Sequence, residues 1–536
     1  MISGQGCARW AHAGGALVIA VLIAGCGDNY RPTVYPVNTN GPAPQPTSYA
    51  VVVSAPTPAE GAGTNGIVTI IDYSGDTIMV EATIGPSPTA FTLDEQGATG
   101  YTLNSDGTLS NFAITTTLQT KNVSYSAVTP GSQLVNLMPP SAGLWATDLT
   151  GNVVDLFTGS PQALQKSVPV SSSGVSPTMP VFIAGSATLT GQREYVLSQN
   201  QPDTAIGAIV CNTPTLFPAL VAGGKVGSAT PIEVSSDTAD PVIPVGVCPV
   251  YAVQTPDQQR LFVLNRGDDT ITVINTAKNT LDQCPVPLVA GKCPSPYNTN
   301  QNGQPITFHP VLPLSTASLT AANAPPSCNM TSNPTCGMGT VAGPVYAEYN
   351  AATEQLVVAD YDGGSISVID VSLDEYGNDS ANFGNTYTIH VGNTAASNPA
   401  SVTVLNDGTK AYTANQNDGS PNGTVTVVNL STYTVEKTLT VAGHPRTVVN
   451  TQNSEFAKIY VDSPDSPYIT IIESSPTITD QIDTAVLVQG LPIDIRTTTQ
   501  NGNSGNNNFS SRVPGYGQPC NLPGAPATLA ACQAIP

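Results

Sequence analysis

Short runs of β-branched and apolar residues alternate along most of this chain with clusters of Gly, Pro, Asn and Asp. Residues 398–443 show the unit. A small, apolar run at 400–405 meets the turn Asn406-Asp407-Gly408, and a second run follows at 410–415. A loop leads to 424–430, which alternates in period two, and Ser431-Thr432 turns the chain into a fourth run at 434–441. Period-two alternation marks a strand, and Asp-Gly tolerates the φ values of a tight hairpin. The pattern predicts four consecutive antiparallel strands. No stretch beyond the first 25 positions sustains the 3.6-residue period of a helix.

The unit repeats. In 248–280, Pro249, Asp257 and Asn265 stand where 398–443 has Pro399, Asp407 and Asn415, and TITVIN stands for TVTVVN. LVVADYDGGSISVIDVS centres a copy at 343–391, and GIVTIIDYSGDTIMVEATIG at 66–85 opens the body with another. Four-stranded units of about 40–50 residues, each unable to bury its own faces, must stack on one another. The prediction is an all-β protein, a β-propeller of four-stranded blades. Strands of the third kind begin near Gly66, Gly107, Gly151, Ala205, Asp269, Gly364, Gly423 and Pro467, eight in all.

These units resemble the YVTN-type β-propeller repeat family of secreted and surface-layer-like proteins. The family pattern runs G-x-P-x-x-V, P-D-G, Y-V-x-N, V-x-V-I-D, then a strand ending V-G. It reads here as Thr255-Pro256-Asp257 with Leu261-Phe262-Val263-Leu264-Asn265, and as Asn406-Asp407-Gly408 with Ala411-Tyr412-Thr413-Ala414-Asn415. The match is strong over 245–280 and 343–490, fair over 49–125 and weak over 126–240. The family more often has seven blades, so the expectation is seven or eight, with eight the count from these residues. The first unit, from Ser48, lacks a G-x-P strand, while 490–498, GLPIDIRTT, is one with nothing after it. A C-terminal strand completing the first blade accounts for both and leaves no free sheet edge.

Residues 1–26 carry Arg9, an apolar run at 16–24 and the ending Ile23-Ala24-Gly25-Cys26. The run is too short to span a bilayer as a folded helix. The segment resembles a bacterial lipoprotein signal, which implies removal of 1–25 and acylation of Cys26. With Gly27 next, it is similar to outer-membrane or surface forms. Residues 26–48 then form a lipidated, Pro- and Asn-rich tether, 49–498 the propeller, and 499–536 a flexible tail. The formal charge of −21 and pI of about 4.2 argue against nucleic acid as a partner. Besides Cys7 and Cys26, eight cysteines remain: Cys211, Cys248, Cys284, Cys293, Cys328, Cys336, Cys520 and Cys532. An even set in an exported chain reads as disulfides. Closeness favours 284–293, 328–336 and 520–532, leaving 211–248. Without CxxC or a histidine at ligand spacing, no metal is expected.

Candidate chemistry is sparse. There is no G-x-S-x-G between strand and helix, no Walker loop and no repeated tryptophan motif for a quinone, so no cofactor is expected. Asp360 and Asp362 are possible acid–base or calcium carboxylates, but Asp360 falls in the repeat's Asn position, which favours turn hydrogen bonding. His309, His390 and His444 have no acid partner evident by spacing. In VAGHPRTVV at 441–449, Gly443 and Pro445 belong to the corner that starts an innermost strand. His444 stands where other units have Ser87, Cys248, Asn398 and Leu491. The innermost strands border the central channel, so His444, Arg446, Asp494 and Arg496 are the candidate ligand contacts. Insertions at 281–304 and 315–342 are candidate rim loops.

The expectation is a lipid-anchored cell-envelope protein, on the periplasmic side or the cell surface. It binds protein, peptide or glycan through rim loops and carries out no catalysis. Propeller lactonases, a neighbouring family with a site at the channel mouth, imply a hydrolase as one alternative. A structural surface-layer protein is the other.

Overall fold

The computed structural model describes residues 46–499, except residues 62 and 420 and segments 129–130, 141–142, 171–178, 186–192, 201–225, 315–341, 395–396, 452–455 and 476–478. The signal, Cys26, most of the tether and the tail, with Cys211, Cys328, Cys336, Cys520 and Cys532, lie outside these residues.

Eight antiparallel sheets form; seven follow chain order outward from the innermost strand, and in the eighth the chain's last strand lies inside its first three. The innermost strands of blades 2 to 7 are Pro88–Leu93, Leu134–Met138, Pro180–Gly185, Pro249–Gln254, Pro344–Asn350 and Pro399–Val404. Thr447–Asn450 serves blade 8 and Leu491–Thr497 blade 1, and each adjoins the next around a ring. The C-terminal strand pairs with Tyr49–Ala55, Val52 opposite Ile495, so the last strand completes the first blade. The fold is an eight-bladed propeller closed as expected. Because every blade is sandwiched between two others, middle strands bury both faces. Thr270–Asn275 (TITVIN) is buried at all but its first residue, whereas the outer strand Ala163–Pro169 is largely exposed.

Two local expectations change. The third strand of blade 4 is Ser228–Glu233, paired with Arg193–Ser198, and not a strand near Ala205, which lies outside the described residues. Its sequence, SATPIE, has Pro231 where the repeat has an apolar residue, so the V-x-V signature is missing. A seven-residue helix, Ile114–Thr120, also follows the third strand of blade 2. It buries only Ile114 and Thr117, too few positions to register as a period.

The repeat residues build hydrogen bonds within each blade and across blade junctions. Asn265 Nδ2 donates to Thr270 and Thr272 (3.0 and 2.9 Å), and Asn415 to Thr424 and Thr426 (3.1 and 2.8 Å). Asn104 treats Thr108 and Ser110 likewise (3.0 and 2.8 Å). The same third-strand hydroxyls accept the N–H of a glycine at a blade junction: Gly85 to Ser110, Gly246 to Thr272, Gly392 to Thr426. A second device opens several second strands with a basic residue and, two positions on, an aromatic. Lys410 and Tyr412 both reach Asp480 of the next blade (2.6 and 2.5 Å). Lys458 and Tyr460 reach Asp76 of blade 1 (2.6 and 3.0 Å).

Candidate functional site

Seven of the eight innermost strands carry a bulge near their opening residue, while Thr447–Asn450 pairs without a break; one side chain per blade takes an equivalent position. These are Ala90, Asn136, Phe182, Tyr251, Tyr346, Ser401, Thr447 and Asp494, and several touch the next blade. Phe182, Tyr251 and Tyr346 form a row with ring centroids 4.7 Å apart. Thr447 donates to Asp494 (3.0 Å), and Ser401 donates to the Arg446 carbonyl (2.8 Å). Two residues beyond Asp494, Arg496 returns on the same strand face and binds Asp494 Oδ2 through Nε and Nη2 (3.0 and 2.8 Å).

Of the sequence candidates, Arg446, Asp494 and Arg496 therefore come together. Arg446 Nη1 donates to the Ile493 carbonyl at 2.9 Å. All three are 2% exposed. Burial disfavours the charge of Arg496, but Asp494 and, across the axis, Tyr346 and Tyr251 outweigh it and hold the guanidinium above its usual value. Arg496 and Asp494 neutralise each other, Arg446 caps a carbonyl, and all three are closed to solvent. In this conformation it braces the ring of inner strands.

His444 turns elsewhere. Its ring Nδ1 lies 2.6 Å from Asp465 Oδ2 and its backbone N–H donates to Asp465 Oδ1 (2.8 Å). Burial would raise Asp465, but His444 holds the carboxyl below its usual range. Asp268 and Asp418 accept the corresponding N–H bonds from Val247 and Asn393, so the aspartate is part of the repeat. The corner itself differs from its supposed equivalents. Ser87, Cys248 and Asn398 have φ of 39°, 54° and 53°, whereas here Gly443, one residue earlier, supplies the positive φ of 72°. His444 is thus matched by Leu491 after Gly490, and not by the other three. Asp360 is buried with one hydroxyl, Ser367, donating to it (2.7 Å). Asp362 is held in a bidentate pair with Arg266 (3.0 and 2.8 Å). Both carboxylates are structural.

The second region lies on the rim. The fourth strand of blade 5 is split into Thr280–Leu281 and Val311–Pro313, both paired with the third, and residues 282–310 leave between them. Cys284 and Cys293 are disulfide-bonded, as expected from their spacing, and Cys248 is also in a disulfide. The insertion encloses a cleft of about 830 Å³, lined by Pro285, Pro287, Leu288, Ile306 and Phe308, with Lys292 its charged member. That volume lies within the range of small-ligand and peptide-side-chain pockets. Leu288 and Val289 beside it are 59% and 65% exposed.

Below the cleft sits a charged cluster. Arg260 Nη2 binds Asp379 (2.9 Å) and approaches Asp282 (3.5 Å). His309 Nδ1 lies 2.7 Å from Asp379 Oδ2, and the His309 N–H donates to Asp282 (2.9 Å). Burial, then the charge of Asp379, pushes Asp282 up to about 6. The hydrogen bond that protonated His309 donates to Asp379 raises the histidine. Asp379 itself stays low despite burial, because His309, Asp282 and Arg260 all bond to it. Two histidines thus have acid partners that spacing did not show, Asp379 being 70 residues from His309. The one sequence signal was the basic residue opening the second strand, shared by Arg193, Arg260, Lys410 and Lys458.

No family model and no curated protein matches this sequence. Among solved structures, the dihydro-heme d1 dehydrogenase NirN in complex with DHE is similar at a TM-score of 0.53 and 12% identity, over 86% of this chain and 77% of that one. AztD of Citrobacter koseri is similar at 0.49 and 11%, over 84% and 98%. Hydrazine synthase of Kuenenia stuttgartiensis follows at 0.40 and 12%, over 82% and 99%. At such identities the likeness shows the propeller fold alone.

Proposed function

We propose that this chain is a lipid-anchored, extracytoplasmic propeller of the YVTN-repeat type that binds a protein, peptide or glycan at its rim and carries out no catalysis. The observation supporting it is the disulfide-pinned cleft on blade 5, where apolar side chains stay exposed beside a pocket. The anchor reading rests on Cys26 ending the apolar leader. The test is a screen of the detergent-solubilised protein against peptide and glycan arrays, repeated with Leu288→Asp. Hits weakened at least tenfold by the substitution support the reading; hits that ignore it, or none, overturn the cleft as the site. Membrane fractionation of Cys26→Ala tests the anchor, and unchanged partitioning removes it. The convergence of Arg446, Asp494 and Arg496 on the axis favours a second reading, a small-molecule or hydrolase site there. Lactone hydrolysis abolished by Arg496→Met in a folded protein would put that reading first.

A further inference from the structure

Blade 5 elaborates the contact that elsewhere joins neighbouring blades. In blades 7 and 8, a lysine and a tyrosine meet one aspartate of the next blade. In blade 5 the basic residue is Arg260. It meets Asp379 of blade 6 and also Asp282, and His309 caps the pair. Asp282 and His309 are the two ends of the cleft insertion. Gln283 follows the first, and Phe308 and Pro310 flank the second; all three line the cleft. The His309 ring stacks on Phe383 of blade 6 with centroids 5.1 Å apart. Further out, Asn300 and Asn302 reach Asp374 and Glu375 of the same blade-6 segment.

We propose that Arg260, Asp282, His309 and Asp379 form a proton-operated buckle that fastens the base of the cleft insertion to blade 6 and so regulates the rim site. This rests on the reading of the cleft as the binding site. Once Asp282 is ionised, a protonated His309 makes two cations face two carboxylates. Loss of that proton leaves one carboxylate unbalanced where the Asp379 side chain is 0% and Asp282 4% exposed. The groups facing the histidine are Asp379 from blade 6, Asp282 from the opposite end of the insertion, and Arg260 from the second strand. Asp374 and Glu375 add negative charge on the blade-6 side.

The direction follows from linkage. Asp282 and His309 both sit above their unfolded values, so the fastened state binds more protons. Fastening is fullest at about pH 4, the ordinary aspartate value. It weakens as the pH rises through about 6, where Asp282 ionises, and on past the raised value of His309. Asp379, held low, acts in the opposite sense only below that window. The Lys410–Asp480 and Lys458–Asp76 contacts carry no histidine and serve as internal controls.

Hydrogen–deuterium exchange of the full-length protein, without ligand, tests this. Protection of 283–310, corrected for intrinsic exchange, is expected to fall about tenfold or more from pH 5 to pH 8, the factor for one titration unit. The strand Thr434–Thr440 should not change. His309→Gln should remove the part of the response above pH 6 and Asp282→Asn the part below it. Equal protection at both pH values in the wild type overturns the proposal without any variant. So does an unaltered response in a folded His309→Gln protein. Because the readout needs no ligand, it separates the two readings: a pH-responsive insertion that binds nothing keeps the buckle and sinks the rim site. A pH-insensitive insertion that binds a peptide does the reverse.

Discussion

Replacing Asp360 by asparagine should make this protein more stable, and by an amount that depends on pH. The position ends the second strand of blade 6, where Asn104, Asn265 and Asn415 stand in blades 2, 5 and 7. Those amides each donate to two hydroxyls of the third strand. Asp360 has no proton to give when ionised; it accepts from Ser367, while Ser365 Oγ beside it has no partner. Burial pushes the carboxyl up to about 8. A folded value raised above about 3.9 means that the native state holds the proton more tightly. The wild type therefore loses stability as the pH rises from about 4 to 8, and the loss levels off above. At pH 7 the penalty is about 4 kcal/mol, from roughly 1.36 kcal/mol for each unit between 3.9 and 7. No solvent discount applies, because the side chain is fully buried. Asp360→Asn removes this term and restores two donors. Urea unfolding followed by far-UV circular dichroism, at pH 4, 7 and 9 with disulfides intact, should show a gain of several kcal/mol at pH 7 and 9. At pH 4 the gain should shrink to about 1 kcal/mol, the worth of the hydrogen bonds. A gain that is absent at pH 7, or the same at all three pH values, refutes the reasoning.

Lys458→Ala should cost about 3–5 kcal/mol by leaving Asp76 buried without its cation. Tyr460→Phe should cost about 1.5–3 kcal/mol for one hydrogen bond to that charge, and a double-mutant cycle with Asp76→Ala in urea should show strong coupling. On the axis, Arg496→Met alone should lose about 3–5 kcal/mol because Asp494 stays charged and buried. The pair Arg496→Met with Asp494→Leu should recover most of it in the same assay; no recovery would mean that the ion pair is not what holds the site.

The fold was legible because a blade is written locally. Proline, turn, asparagine and a period-two strand recur within 50 residues, and seven of the eight expected third strands stand in their blades. Blade 4 escaped in detail because Pro231 and small polar residues replace the apolar alternation there. The site was less legible. Sequence placed Arg446, Asp494 and Arg496 near the axis, where they lie. It could not show that Arg446 would bond to a carbonyl 47 residues away or that Arg496 would close on Asp494. Histidine partners were invisible for the same reason: His309 and Asp379 belong to connections of two different blades, and only stacking brings them together. His444 and Arg446, grouped as candidate ligand contacts, part company: His444 binds Asp465 and Arg446 binds the Ile493 carbonyl.

The closing strand also has a mechanical meaning. Because Leu491–Thr497 lies inside it, Tyr49–Ala55 is flanked by hydrogen-bonded strands on both sides. Tyr49 opens the first strand of the body. A pull on the chain ahead of Tyr49 loads two ladders at once. The strand that takes the load is an interior plank of its blade, and the propeller must open its ring before that strand can leave.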